Sequence, residues 1–148
     1  MKRIILIVSL LMPVAALAGG GGSEGVSQKA SAPNLQEIKM KIEASKYAEA
    51  IKLLKAYIRE DDSSADAYNY LGFSYRKGGQ LPEAFEAYRK ALALDPKHLG
   101  AHEYLGEAYL ASKQPEKARG ELAQLKSICG NCEEYRDLQK SITSAGNL

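Results

Sequence analysis

Residues 65–98 read ADAYNYLGFSYRKGGQLPEAFEAYRKALALDPKH, and residues 99–132 return to the same phrase as LGAHEYLGEAYLASKQPEKARGELAQLKSICGNC. Tyr68, Leu71, Gly72 and Tyr75, then Ala84, Tyr88, Ala91 and Pro96, are answered at an interval of 34 residues by His102, Leu105, Gly106 and Tyr109, then Ala118, Leu122 and Leu125. A fixed period of this length marks a stacked repeat, in which each unit is too small to bury its own apolar face and leans on its neighbour. The residue types fit a pair of antiparallel helices. Gly72 and Ala84 have almost no side chain and allow close approach, while Tyr68, Leu71, Tyr75 and Tyr88 fill the surrounding space at helical spacing. Gly78-Gly79-Gln80 breaks the first helix, Pro82-Glu83 starts the second, and Asp95-Pro96 stops it.

Ala50, Ala84 and Ala118 extend the register backwards by one unit. This earlier unit, 35–64, keeps Tyr47, Leu54 and Tyr57 but has Glu37-Ile38 in place of Leu-Gly; the later one, 99–132, has His102 in the bulky slot and Gly130 in place of proline. Beyond Cys132, Tyr135, Leu138 and Ile142 fall on one helical face among charged residues, as in an amphipathic helix over 133–148 that caps the open end. The expectation is an all-α stack of about seven helices with no strands.

The phrase resembles the tetratricopeptide repeat, a 34-residue helix-turn-helix unit whose first helix carries a bulky residue, Leu-Gly and Tyr, and whose second carries Ala, a large apolar residue, Ala and then Pro. Residues 65–98 match at each of these places. The resemblance implies an α-solenoid of about three repeats plus a capping helix, and a concave groove lined by the first helices that holds a partner's peptide or helix. Carried over by position, the groove residues are Asn69, Phe73, Arg76 and Lys77, then Glu103, Glu107 and Leu110, with Leu35, Lys39 and Ile42 as weaker members. Cochaperones of this family clamp a C-terminal carboxylate with Lys, Arg and Asn. Here Phe73, Glu103 and Glu107 stand in that clamp's place, and acids repel a carboxylate, so a mixed-charge or amphipathic segment suits the groove better.

The first 18 residues read differently. Lys2 and Arg3 precede an apolar run from Ile4 to Leu11, Pro13 interrupts it, and Ala16-Leu17-Ala18 offers a cleavage site, the pattern of a secretory signal peptide. Gly20 stands where a lipoprotein signal requires cysteine, so no lipid anchor is expected. Residues 19–34, rich in Gly, Ser and Ala, read as a flexible leader. Removing residues 1–18 takes two of the 20 basic residues and none of the 18 acidic ones, leaving a formally neutral protein despite a whole-chain pI of about 8.4. The expected product is periplasmic or secreted, with no footprint for nucleic acid, no stable membrane insertion after processing, and a protein partner in the cell envelope.

Cys129-Gly130-Asn131-Cys132 is the other candidate site. In an oxidising compartment the two cysteines most simply form a disulfide, whose small loop stabilises by about 2 kcal/mol and fixes the joint between the last repeat and the cap. Two rival chemistries use the same pair. Thiol-disulfide exchange is disfavoured because Cys129 ends a helix instead of opening one after a strand; zinc would need Cys129 and Cys132 to converge with His98 and His102. No nucleophile elbow, phosphate-binding loop or metalloprotease helix is present, so neither catalysis nor a cofactor is expected. A self-associating structural subunit of an envelope assembly is the remaining alternative.

Overall fold

The computed structural model describes residues 33–146, so the expected signal peptide and all but the end of the expected leader lie outside the described residues. Seven helices follow in order: α1 (Leu35–Glu43), α2 (Tyr47–Glu60), α3 (Ala65–Lys77), α4 (Leu81–Leu94), α5 (Leu99–Ala111), α6 (Pro115–Cys129) and α7 (Glu133–Gly146). No strand occurs among the described residues.

Local chemistry sets the boundaries. Asn34 Oδ1 accepts the Glu37 amide at 2.8 Å and Ser64 Oγ accepts the Ala67 amide at 3.2 Å, satisfying donors that the first turns of α1 and α3 leave free. Pro82 and Pro115 sit in the first turns of α4 and α6, where a missing N–H costs nothing. The turns between paired helices are congruent. Ser45, Gly79 and Lys113, each 34 residues from the next, all have positive φ (56°, 77° and 59°). The following residue in each case, Lys46, Gln80 or Gln114, donates its amide back to Lys41, Tyr75 or Tyr109 at 2.8–2.9 Å. The 34-residue period is therefore a property of the backbone as well as of the side chains.

α1 packs on α2, α3 on α4 and α5 on α6, and each pair docks on the next through α2 on α3 and α4 on α5. Contacts also run directly along the row α1, α3, α5, α7, whereas α2, α4 and α6 do not touch one another. The odd-numbered helices thus follow the shorter inner arc, and their free faces form the concave side. One apolar core runs through the pairs, from Ile38, Ala50 and Leu54 through Leu71, Tyr75, Ala84 and Tyr88 to Leu105 and Ala108.

Gly72 faces the ring of Tyr88, and a Cβ there would lie 2.5 Å from Cε1. The third pair solves the same problem differently. Leu122 takes the place corresponding to Tyr88 but is only half-buried, and the space over Gly106 is filled by Leu138 of α7, whose Cδ2 would lie 2.5 Å from an added Cβ. The cap is keyed into the last repeat by the glycine that elsewhere seats a repeat's own second helix.

The left-handed turn positions give a direct test. Relief of the positive-φ penalty outweighs the extra freedom glycine gains in the unfolded chain, so Lys113→Gly raises the unfolding free energy by about 0.5–1 kcal/mol, while Gly79→Ala lowers it by about 1 kcal/mol. Denaturant unfolding of the two variants beside the wild type measures both signs.

Candidate partner-binding groove

The concave face is built from one side of α3, α5 and α7, with α1 at its edge. At its centre Phe73 of α3 lies against Tyr104 of α5, ring centroids 5.0 Å apart, and meets Tyr47 edge-on at 6.3 Å. Arg76, one turn beyond Phe73, spreads its guanidinium beside both rings, 5.5 Å from Phe73 and 5.7 Å from Tyr104. It pairs with Glu107 Oε2 at 2.5 Å, and its Nε donates to the Tyr88 hydroxyl at 3.4 Å. Arg76 is therefore a brace between α3, α4 and α5, its charge spent inside the protein. Lys77, exposed, lies over the outer side of Phe73 at 5.4 Å, and Lys39 of α1 lies over Tyr70 at 6.0 Å.

The other half of the groove is acidic. Glu103 is half-buried, with Glu107 one turn along α5 and with Asp137 and Glu134 facing it from α7. Burial first, then repulsion from Glu107, Asp137 and Glu134, pushes its carboxyl up to about 8, with Arg76 offsetting part of the effect. The neighbouring Tyr104 hydroxyl is pushed up to about 12, by burial and then by the charges of Glu103 and Glu107.

Of the groove residues expected from sequence, Phe73, Arg76, Glu103 and Glu107 come together around Tyr104, with Lys77 on the rim. Asn69 does not join them. It is 4% exposed, wedged with its amide against Gly100 of α5, and its Oδ1 has no hydrogen-bond partner. Close spacing of α3 and α5 closes over it. Leu110 lies farther along, in a separate cavity of about 370 Å³ with Ile142 and Pro115. Leu35 and Ile42 are half-buried against the core, leaving Lys39 as the accessible member of α1. The expectation missed Tyr70 and Tyr104. Their spacing of 34 residues is the signal in the sequence that could have found them.

Cys129 closes α6 and Cys132 immediately precedes α7, with their sulfur atoms 2.05 Å apart. The histidines of the zinc alternative are engaged elsewhere. His98 caps α5 and contacts Asp66, while His102 contacts Glu121 and the Pro96 carbonyl. Among the described residues no group of three or more His, Cys, Asp and Glu side chains is arranged to hold a metal ion, and no helix is long and apolar enough to cross a membrane.

Glu103 couples the groove to pH. Its folded carboxyl holds a proton more tightly than the ordinary value of 4.5, so the wild type loses stability as pH rises from there to about 8. Glu103→Gln escapes that loss. The variant's unfolding temperature relative to wild type should climb across this interval and then level off, and a difference independent of pH would show that neither burial nor the neighbouring acids raise the carboxyl.

The tetratricopeptide repeat family matches residues 41–98 and again 75–142, which together span α2 to α6 and most of α7. No curated protein sequence matches the chain. Among solved structures, the chain is similar to the yeast Sti1 TPR2B domain in its complex with an Hsp70 peptide (TM-score 0.70, 22% identity, 76% of this chain and 93% of that one). It is also similar to the Yersinia enterocolitica type III secretion chaperone SycD in complex with a peptide of the translocator YopD (TM-score 0.65, 20% identity, 74% and 84%). MamA from Desulfovibrio magneticus RS-1 is a third (TM-score 0.61, 24% identity, 64% and 53%). At these identities the likeness is one of fold. With the left-handed turns recurring every 34 residues and the small-residue contacts that seat paired helices, the chain belongs to the tetratricopeptide repeat family.

Proposed function

We propose that this protein is a non-catalytic adaptor of the bacterial cell envelope that holds a segment of another protein in its concave groove. The observation that carries the reading is the Phe73–Tyr104 shelf: two large, half-buried rings on the inner face, flanked by Lys77 on one side and carboxylates on the other. Rigid aromatic surface of this kind supplies much of the binding energy at protein interfaces. Similar folds in complex with peptides, those of Sti1 and SycD, support the same use.

The charge distribution selects the occupant's chemistry. Glu107 is already paired with Arg76, and Glu103, facing Glu134 and Asp137, holds its proton up to about pH 8, so the favoured segment sets an apolar side chain on the shelf and, beside Glu103, a Lys or Arg whose charge draws that proton off. A C-terminal carboxylate at that wall would be repelled. Placement in the envelope rests on the signal-like sequence of residues 1–18, and the pairing of Cys129 with Cys132 as a stable strap between α6 and α7 accords with an oxidising compartment.

Affinity capture from native envelopes with wild-type and Phe73→Ala protein tests the groove. Loss of the shelf should weaken capture of a specific partner by about tenfold or more while helix content stays unchanged. Glu103→Lys should weaken the same partner, whereas a capture profile indifferent to both substitutions overturns the reading.

A further inference from the structure

The chain has two histidines, and both sit at the start of α5, four residues apart, in hydrogen-bonding surroundings that demand different proton counts. His98 Nδ1 accepts the Ala101 amide at 3.1 Å, so that nitrogen must present a lone pair. Its Nε2 lies 3.0 Å from Asp66 Oδ1 on α3, an acceptor, and carries the ring's one proton. This neutral tautomer is the N-cap of α5. His102 is the reverse. Its Nε2 faces the Pro96 carbonyl at 3.0 Å, which can only accept, and its Nδ1 lies 2.7 Å from Glu121 Oε2 on α6. Without a second proton on this side, two acceptors would confront each other at that distance in a site where His102 is 8% and Glu121 17% exposed.

We propose that the first turn of α5 is held by two histidines in different hydrogen-bonding states, His98 as a cap through a bare Nδ1 and His102 as a cationic latch between Glu121 and the Pro96 carbonyl, so that the α5–α6 joint loosens as His102 gives up its second proton. Deprotonating His102 leaves either Glu121 or the Pro96 carbonyl without its donor. The charged groups facing His102 are Glu121 from α6 and Asp95 from the α4–α5 connection; the one facing His98 is Asp66 from α3. Burial alone would lower the His102 value, but the Glu121 and Pro96 hydrogen bonds, with the negative charges of Glu121 and Asp95, outweigh it and hold the ring above its ordinary value. The latch therefore contributes fully below the ordinary histidine range and is lost as pH rises through the raised value. Glu103 and Tyr104 occupy the next positions of the same helix, so the device governs how firmly the groove's acidic wall is presented. It stands whether or not the groove reading holds.

With the full-length chain carrying ¹⁵N-histidine, imidazole nitrogen shifts near neutral pH should give one protonated and one bare nitrogen for His98 and two protonated nitrogens for His102. The same state at both rings, or the reverse assignment, overturns the proposal. Thermal unfolding supplies the energetic arm. His102→Tyr restores the residue type found at Tyr68, and the wild type's advantage over it should shrink as pH is raised through and above the ordinary histidine range. Differences taken at each pH cancel the titration of Glu103. A flat difference overturns the latch. Should His102→Tyr fail to fold, Glu121→Gln decides: it must lower the pH at which His102 loses its second proton, and an unmoved titration overturns the latch.

Discussion

The seating of a large side chain from a neighbouring helix directly on the backbone at two glycines is the constraint on which the remaining architecture depends. At Gly72 the whole ring of Tyr88 occupies the space where a side chain would begin, and the Tyr88 hydroxyl is thereby brought to Arg76. Arg76 then reaches Glu107 and spans the Phe73 and Tyr104 rings. A sequence of contacts thus leads from one missing Cβ to the arrangement of the concave face. Burying Tyr88 there pushes its hydroxyl well above the ordinary tyrosine value, burial outweighing the nearby guanidinium, so the ring remains a neutral packing element.

Gly106 shows how the same device ends the array. In a continuing stack the glycine would accept a large residue from its own second helix, but Leu122 is smaller than tyrosine, and Leu138 of α7 enters instead. Terminating a solenoid requires an amphipathic element with one apolar face, and α7 supplies Leu138, buried completely, with Tyr135 and Ile142 half-buried beside it. The cap also alters the groove, because its other residues include Glu134 and Asp137, which face Glu103. Closing the core and charging the concave wall are consequences of one helix docking.

The fold was legible because its signals are local and periodic. Glycine and alanine at fixed intervals, proline in first turns and the i, i+3, i+7 series of the cap each constrain a few adjacent turns, and the 34-residue interval joins them. The groove was legible only in outline. Phe73, Arg76, Glu103 and Glu107 were placed on one face by the resemblance to the tetratricopeptide repeat, but whether a side chain on that face meets solvent depends on the distance to the next helix of the row. At Asn69 that distance is short because Gly100 stands opposite, and the amide is enclosed.

The sequence by itself determined the repeat, its helix boundaries, the bulky and small slots and the place of the cysteine pair between the last repeat and the cap, since all of these follow from residue type at a fixed spacing. Only the tertiary structure decided that Arg76 pairs with Glu107 and braces three helices, that Tyr104 lies against Phe73, and that α7 turns one wall acidic. It also decided that the two histidines face different partners. The physical reason is that charge state and accessibility belong to groups brought together from separate helices, and a spacing along one helix carries no information about what the neighbouring helix places opposite.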